Sequence, residues 1–270
     1  MYGNDIVKDN MEYLKEKGYK LLSPSSGMLA CGYTGKGRLP EPDILVEYIL
    51  KELTEKDLAD KKVLVTAGPT IESIDPVRYM TNHSSGKMGY ALAKRASYRG
   101  AEVKLISGPT ILEVPLDVEF EKISSAKELY QSVIACFEEF DIIIMAAAVA
   151  DFTPQEISED KIKKTNEDYF LLELKKTTDI LKKISELKKE KQKVVGFAAE
   201  SRDLIENAKQ KMEYKDMDMI VANDIKNKDI FGSDESEVII ITKEEQINVS
   251  RSSKESIADQ IYDLIKWYLK

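Results

Sequence analysis

The stretch between residues 68 and 89 places small residues, an amide and a lysine just before a predicted helix. Gly68 opens it, and Ser84-Ser85-Gly86-Lys87 leads into the helix. Small residues let backbone N–H groups approach an anion, and a helix dipole favours negative charge at its N-terminus. The spacing fits neither a Walker P-loop nor a G-x-G-x-x-G fingerprint. We therefore predict phosphate or substrate contacts at Gly68, Ser84, Ser85 and Gly86, with a tight structural turn as the alternative.

Two side chains in this stretch have chemistry of their own. Asn82 is a neutral amide that can donate to a carbonyl oxygen without removing charge, and its alternative role is that of a turn or N-cap residue. His83 is the only histidine of the chain. Because a lone histidine is a poor basis for a metal site or a catalytic triad, we expect it to be structural or to contact substrate.

A second group follows the apolar run that ends at Met145. The alanines from residue 146 onward leave room for a flat ring, and Asp151 beyond them can accept from hydroxyl or amino groups or face a magnesium ion. Lys161 and Lys164 then belong to a local basic cluster in an acidic protein. The alternative for these lysines is a solvated loop, and Lys164 is otherwise a candidate contact to phosphate or substrate.

A third group contains Phe197 and two lysines. Lys211 and Lys215 are four residues apart, which places both ammonium groups on one helix face. Because like charges repel, an anion between them would explain the arrangement. Phe197 can stack on a base, although a phenylalanine in such a run is more often part of the core.

Together the three groups predict a nucleoside triphosphate site without a covalent nucleophile. Condensation through an acyl-nucleotide fits them, because binding, orientation and charge stabilisation would do the work. A divalent ion would ordinarily hold the leaving pyrophosphate. Two alternative functions remain. The first is a dinucleotide-dependent oxidoreductase, but the absence of the G-x-G-x-x-G fingerprint and the presence of the lysines argue against it. The second is a non-catalytic nucleotide-binding module.

Composition limits the partners and the compartment. Of the 270 residues, 43% are hydrophobic, so a hydrophobic core is expected. The net charge of -8 gives no general attraction to nucleic acid or to an anionic membrane. Cys31 and Cys136 are the only cysteines and form no C-x-x-C pair, which argues against a disulfide scaffold or a structural zinc site. The polar N-terminus is no secretory signal, and no apolar run is long enough for a membrane span. We expect a cytoplasmic protein.

The elements that position these groups alternate regularly from Lys62 onward. Predicted strands cover residues 63–66, 103–107, 141–145, 194–198 and 219–222. Such apolar runs are buried on both faces, and the helices between them imply right-handed βαβ units. We predict an α/β, Rossmann-like, mostly parallel doubly wound sheet flanked by helices, with a late β-hairpin. Ligands of such sheets bind at the carboxyl ends of the strands, where all three groups fall.

Two further segments complete the predicted organisation. A helix over residues 125–140 begins with a capping box formed by Ser125 and Glu128. Residues 1–58 hold two short helices around a loop rich in serine and glycine, with too few apolar residues for a core of their own. They are therefore predicted to be the tail of something larger, separate from a domain at residues 59–270.

The ordered motifs of residues 62–242 resemble the phosphopantothenate–cysteine ligase domain of bacterial bifunctional coenzyme A biosynthesis proteins. The matching segments are VTAGPT, IDPVRYMTNHSSGKMGYALA, AAAVADF, KIKK, VVGFAAES and ANDI. The resemblance implies a homodimer that uses CTP and Mg²⁺, makes an acyl-cytidylate from 4′-phosphopantothenate, and lets L-cysteine attack it. The products are 4′-phosphopantothenoylcysteine, CMP and pyrophosphate. The hairpin near residues 238–249 is a candidate dimer interface.

The resemblance also implies roles for individual residues. Asn82 would handle the acyl intermediate, and Lys161 would be needed for activation. The cytidine nucleotide would contact Met145, Ala146, Ala147, Asp151, Lys161, Thr178, Asp179, Ile180, Leu181, Phe197, Lys211 and Lys215. The resemblance implies no metal ligands by position.

Residues 1–58 resemble the end of the partner domain, phosphopantothenoylcysteine decarboxylase. Ala30-Cys31-Gly32 matches its catalytic cysteine motif, although the family usually has aspartate where Tyr33 stands. The flavin-binding body of that family has no counterpart in the sequence. We therefore expect neither FMN nor decarboxylation from this chain, and we interpret Cys31 as a relic of the proton donor.

Overall fold

The computed structural model describes residues 2–163, 169–200, 203–224 and 232–268. The chain divides into two compact units, residues 1–55 and residues 56–270. All candidate site residues except Cys31 belong to the second unit.

The first unit contains two helices and one hairpin. Its elements are α1 (Asp5–Glu16), β1 (Ser25–Met28), β2 (Thr34–Arg38) and α2 (Pro42–Leu53). The side chain of Asn4 caps α1 by accepting from the Ile6 N–H at 3.0 Å, and Pro42 lies in the first turn of α2, where no N–H is required. Neither helix has a buried residue. The predicted loop between them contains the antiparallel β1–β2 pair instead, and both strands are rich in serine, threonine and glycine.

The second unit has a helix or strand over most of its length. Its strands are β3 (Lys62–Ala67), β4 (Ile71–Ser73), β5 (Tyr79–Thr81), β6 (Glu102–Ser107), β7 (Val118–Lys122), β8 (Ile142–Met145), β9 (Phe152–Pro154), β10 (Leu174–Lys176), β11 (Lys193–Glu200), β12 (Met219–Asp224), β13 (Glu235–Thr242) and β14 (Gln246–Ser253). Its helices are α3 (Lys87–Tyr98), α4 (Ala126–Cys136), α5 (Ile180–Leu187), α6 (Leu204–Tyr214) and α7 (Lys254–Tyr268).

Eight of the described strands form one sheet in the order β14-β13-β12-β11-β8-β3-β6-β7. The pairs from β12 to β7 are parallel, whereas β13 and β14 pair antiparallel at one edge. The prediction of a mostly parallel sheet with a late hairpin is confirmed. Strand β7, at the other edge, was not predicted because its sequence, VEFEK, has no continuous apolar run like those of the central strands; its alternation of apolar and charged residues fits an edge strand with an exposed face.

Helices cover both faces of this sheet, as the doubly wound prediction requires. Strand residues such as Val63 and Ile144 pack with α3 and α7 in one buried cluster. Their neighbours Leu64 and Ile143 point to the opposite face and pack with α4, α5 and α6 in the other. The sheet is therefore packed on both faces, and its carboxyl edge carries the polar groups that follow the strands.

The helix predicted over residues 125–140 is shorter than expected. The predicted cap by Ser125 is confirmed, since the Glu128 N–H donates to Ser125 Oγ at 3.2 Å. The returning bond of the capping box is displaced by one residue, because the Glu128 side chain accepts from the Ser124 N–H at 2.9 Å and not from that of Ser125. The α-helix ends at Cys136, and a 3₁₀ turn follows over Phe137–Glu139. The tightened end brings Phe137 into the core, where it is buried.

Candidate functional site

The strand order reverses on either side of β3. The chain proceeds from β3 through α3 to β6 and β7, and it returns through α4 to β8 on the other side of β3. Open α/β sheets bind ligands in the crevice at such a switch point. The segments that follow β3 and β8 are joined there, because the Ala148 N–H donates to the Gly68 carbonyl at 2.9 Å and the Thr70 N–H donates to the Ala148 carbonyl at 3.2 Å.

Helix α3 begins at this crevice without a side-chain cap. Gly86 is its N-cap residue and has a φ of 77°, in the left-handed region. A Cβ at Gly86 would lie 2.7 Å from Thr110 Cγ2 and 3.3 Å from the backbone nitrogen of Gly68. Backbone conformation and space therefore both require glycine here. The first N–H groups of a helix have no intrahelical acceptor, so this helix start can receive an anion.

A cavity of about 520 Å³ opens along the helix start, and we call it the Asn82 cavity. Asn82, His83, Ser84, Ser85 and Gly86 line it on one side, and the small residues after β8 line it on the other. Gly68 is buried behind Gly86 and does not belong to this lining. Its φ of 72° and the Gly108 carbonyl 3.0 Å from an added Cβ give it a structural reason to be glycine.

A second cavity, of about 470 Å³, follows the carboxyl ends of β8 and β11, and we call it the Asp179 cavity. It collects the residues that the resemblance assigns to the nucleotide, except Ala146 and Lys161: Met145, Ala147, Asp151, Thr178, Asp179, Ile180, Leu181, Phe197, Lys211 and Lys215. Ala146 lies in the lining of the Asn82 cavity instead.

The two cavities share a wall. Ala147, Val149, Asp151, Phe197 and Lys211 line both of them. A ligand in one cavity can therefore meet a ligand in the other beside a carboxylate, an ammonium group and an aromatic ring. This arrangement suits a reaction that joins two bound molecules.

Asn82 is held by the backbone of the segment after β8. Its Nδ2 donates to the Val149 carbonyl at 3.0 Å and to the Ala148 carbonyl at 3.4 Å. The amide is therefore oriented in the free protein, and its donor side is occupied. A substrate carbonyl that accepts from Asn82, as the sequence suggested, would have to replace one of these two acceptors.

The lysines of α6 have acceptors of their own. Lys215 forms an ion pair with Asp179 at 2.9 Å, and the Lys211 ammonium donates to the Phe197 carbonyl at 3.3 Å. Burial opposes ionisation of Asp179, but its hydrogen bonds from Lys215 and from the Lys182 N–H lower its pKa overall. The repulsion between the two lysines is thus partly offset by Asp179, which also caps α5. An anion is not required to explain their spacing.

Lys161 lies outside the described linings of both cavities and is exposed. Its neighbour Ile162 is fixed by both backbone groups: Asp75 accepts from its N–H at 3.1 Å, and Arg78 donates to its carbonyl at 2.7 Å. The side-chain hydrogen bond from Arg78, together with backbone hydrogen bonds from Val77, Arg78 and Ile162, holds the pKa of Asp75 well below its usual range although burial opposes this. Lys164 lies outside the described residues.

Four polar residues that line the Asn82 cavity received no binding role in the sequence analysis. Lys87 lies in the glycine-rich stretch itself, whereas Asn223, Ser236 and Lys254 are far from that stretch along the chain. Asn223 follows a predicted strand, which was a usable signal under the rule that ligands bind at strand ends. Lys254 starts the last helix and carried no such signal.

Within residues 2–163, 169–200, 203–224 and 232–268, no group of three or more His, Cys, Asp or Glu side chains is arranged to hold a metal ion. Over the same ranges no helix has the length and apolar character needed to cross a membrane. In the first unit, Cys31 is an exposed free thiol in the turn between β1 and β2.

Comparison with protein families gives two matches along the chain. A family described as "DNA/pantothenate metabolism flavoprotein C-terminal domain" matches residues 58–268. A second family, described as "Flavoprotein", matches residues 1–54. The first match covers most of the chain and the whole candidate site.

Similar proteins include two curated relatives described as "Coenzyme A biosynthesis bifunctional protein CoaBC". The one from Bacillus subtilis is 48% identical over 249 residues, which are 90% of this chain and 61% of that protein. The one from Borreliella burgdorferi is 42% identical over 267 residues, 98% of this chain and 68% of that protein. A solved structure of the C-terminal domain of a CoaBC protein is 40% identical, with a TM-score of 0.69, and covers 80% of this chain and 98% of that one.

Proposed function

The chain belongs to the DNA/pantothenate metabolism flavoprotein C-terminal domain family, and from this membership we propose that it joins 4′-phosphopantothenate to L-cysteine with CTP as the activating nucleotide. The family description refers to pantothenate metabolism, and the similar relatives are named for coenzyme A biosynthesis. The chain spans 61% and 68% of the lengths of those two relatives. The choice of CTP rests on the resemblance of the motifs.

The observation that carries this proposal is the wall shared by the two cavities. The Asp179 cavity is the place for the nucleotide, with Phe197 beside the base and Lys211 and Lys215 as positive charges. The Asn82 cavity is the place for the phosphorylated acid, along the uncapped start of α3. The acid and the nucleotide would then meet at the shared wall.

The chemistry has two steps, and this chain's part in each is positioning and charge stabilisation. In the first, a carboxylate oxygen of the acid attacks the α-phosphorus of CTP, and pyrophosphate leaves. In the second, the cysteine amine attacks the acyl carbon, loses a proton, and CMP leaves. Lys211, which lines both cavities, would offset the negative charge of the first step. The resemblance implies the same role for Lys161, although it lies outside both described linings, and Asn82 would orient the acyl group for the second step.

Magnesium would enter with the nucleotide. Mg²⁺ at such sites is usually bound by substrate phosphates and only one or two carboxylates. Asp151, which lines both cavities, would be one carboxylate available as a protein ligand. When bound, the ion would supply charge neutralisation for the pyrophosphate. A homodimer formed through the β13–β14 hairpin and a cytoplasmic location remain predictions.

The decisive experiment measures pyrophosphate release with CTP, 4′-phosphopantothenate, cysteine and magnesium present, and with each omitted in turn. We expect release to require CTP, the acid and magnesium, and product formation to require cysteine as well. Release at background in the complete mixture would leave a non-catalytic nucleotide-binding module. An absorbance change with reduced nicotinamide would instead favour the oxidoreductase.

Lys161→Gln tests the first step. Removal of a positive charge that acts on the transition state is expected to lower cysteine-independent pyrophosphate release about 100-fold. Lys163→Gln, an exposed neighbour on the same segment, is the matched control and should keep the wild-type rate. Equal rates in the two variants would remove Lys161 from the mechanism.

A further inference from the structure

The wall between the two cavities is built from a segment that has left the central sheet. Strand β8 ends at Met145, β9 begins at Phe152, and residues 146–151 lie between them. Ala150 in this segment is nevertheless buried, at 6% exposure. A buried backbone N–H or C=O group without a partner is costly, so hydrogen bonds from outside the strand ladder must hold this part of the wall.

Two threonine hydroxyls hold Ala150 from opposite sides. The Ala150 N–H donates to Thr70 Oγ1 at 3.0 Å, and Thr177 Oγ1 donates to the Ala150 carbonyl at 2.7 Å. Thr70 follows β3 and is fully buried, whereas Thr177 follows β10 and is partly buried. The Thr177 N–H also donates to the carbonyl of Asp151 at 3.0 Å. The backbone on both sides of the peptide bond that leads into Asp151 is therefore fixed.

The same hydrogen bonds connect Asp151 with Asn82 on the other side of the crevice. Thr81, which directly precedes Asn82, donates from its Oγ1 to the Thr70 carbonyl at 2.7 Å. Thr70 is thus bound both to Thr81 and to Ala150, the residues that precede Asn82 and Asp151. Two side chains that line the Asn82 cavity are thereby placed in one hydrogen-bonded frame.

We propose that Thr70 and Thr177 are positioning residues that orient the Asp151 carboxylate in the wall shared by the two cavities. Asp151 is exposed and lines both cavities. A side chain on a loosely held backbone must be ordered when a ligand binds, and that ordering costs entropy. The threonine hydrogen bonds remove part of this cost before the nucleotide arrives. The proposal rests on the proposed function, in which Asp151 faces the nucleotide or its magnesium ion.

The first test measures CTP binding in the presence of magnesium by isothermal titration calorimetry. Thr177→Val keeps the shape of the side chain but lacks the hydroxyl, and we expect it to bind CTP about 10-fold more weakly than the wild type. Thr177→Ser keeps the hydroxyl and should restore binding.

Thr242→Val is the matched control for the loss of a buried hydroxyl. Thr242 is 5% exposed, its hydroxyl bonds to the backbone of Glu244 and Glu245, and it lies outside both described cavity linings. This variant should bind CTP like the wild type. Equal affinities in Thr177→Val and the wild type, or no binding by the wild type, would overturn the positioning role.

A double-mutant cycle separates positioning from a merely structural loss. If Thr177 acts through Asp151, the substitution Thr177→Val should cost about 10-fold in the wild type and almost nothing in Asp151→Ala, which has no carboxylate to orient. The same loss in both backgrounds would show a structural role and contradict the proposal. Wild-type CTP affinity in Asp151→Ala would contradict it as well, because the orientation of the carboxylate would then not affect binding.

Thr70→Val tests the other side of Ala150. Because the Ala150 N–H would lose its acceptor, its hydrogen exchange should become about 10-fold faster, and an unchanged rate would contradict the proposed contact. The cycle through Thr177 decides the matter if circular dichroism shows that Thr70→Val is unfolded. Neither the calorimetry nor the hydrogen exchange depends on turnover. A failed ligase assay beside a coupled cycle would therefore count against the proposed function alone, and an additive cycle in an active enzyme against the positioning role alone.

Discussion

The two units of this chain differ in what their polar groups are packed against. In the second unit, Arg99 is 6% exposed and binds Asp57 and Asp263 while its guanidinium lies 5.8 Å from the ring centroid of Tyr262. In the first unit, Arg38 pairs with Glu41, and both side chains are more than half exposed. The same type of ion pair is part of a buried network in one unit and a surface contact in the other.

The candidate reactive residues follow the same division. Asn82 is fixed by two backbone carbonyls at the mouth of a cavity, whereas Cys31 is exposed in a hairpin turn. A reaction that proceeds by positioning needs side chains whose orientation is set before substrate arrives. Asn82 in the second unit has this property, whereas the exposed Cys31 in the first unit does not.

The largest contrast is expected between Arg99→Met and Arg38→Met. Loss of Arg99 leaves the carboxylate of Asp57 largely buried with Lys266 as its remaining cationic partner, so the free energy of unfolding should fall by about 3–5 kcal/mol. Loss of Arg38 removes an exposed pair and should change it by less than about 1 kcal/mol. Native-state hydrogen exchange measures each unit separately. A comparable loss in both variants would show that the first unit also depends on a buried network.

The next contrast concerns catalysis and compares Asn82→Asp with Cys31→Ser. A carboxylate cannot donate to the carbonyls of Ala148 and Val149 and is repelled by them, so the side chain should leave its position. We expect formation of 4′-phosphopantothenoylcysteine to fall about 100-fold. Cys31→Ser should leave ligation at the wild-type rate, measured in the same assay. Wild-type turnover in Asn82→Asp, or an equal loss of ligation in Cys31→Ser, would contradict the prediction that ligation depends on Asn82 and not on Cys31.

The sequence predicted those parts of the fold that short, strongly patterned segments determine. The central strands, their parallel order and the cap by Ser125 follow from apolar runs and local hydrogen bonds. The rule that ligands bind at strand ends then brought together residues from β8, β11 and α6, which do line one cavity. Family membership is confirmed, whereas the roles of individual residues and the decarboxylase relic remain predictions.

The rest of the site depends on contacts between residues distant in sequence. Lys254 reaches the Asn82 cavity only because α7 packs beside α3 and follows the hairpin that carries Ser236. The pairing of Lys215 with Asp179 joins residues 36 positions apart, so the lysine spacing alone suggested an anion instead. Edge elements such as β7 and β1 lack long apolar runs, and their pairing is decided by the neighbouring strand rather than by local pattern.

The smallest contrast is expected between Gly89→Ala and Gly35→Ala, which probe packing without any charge. A Cβ at Gly89 would lie 2.5 Å from Ala67 Cβ and 3.0 Å from the Thr66 carbonyl oxygen, so α3 must shift away from β3. We expect a loss of about 1–3 kcal/mol in the free energy of unfolding. A Cβ at Gly35 would lie 3.6 Å from its nearest contact, a flexible methyl group of Leu29. Gly35→Ala should therefore change the free energy of unfolding by less than about 0.5 kcal/mol. Hydrogen exchange measures both effects.

Because α3 starts at the Asn82 cavity, Gly89→Ala should also raise the KM for 4′-phosphopantothenate. An unchanged KM would mean that the start of α3 does not contact this substrate.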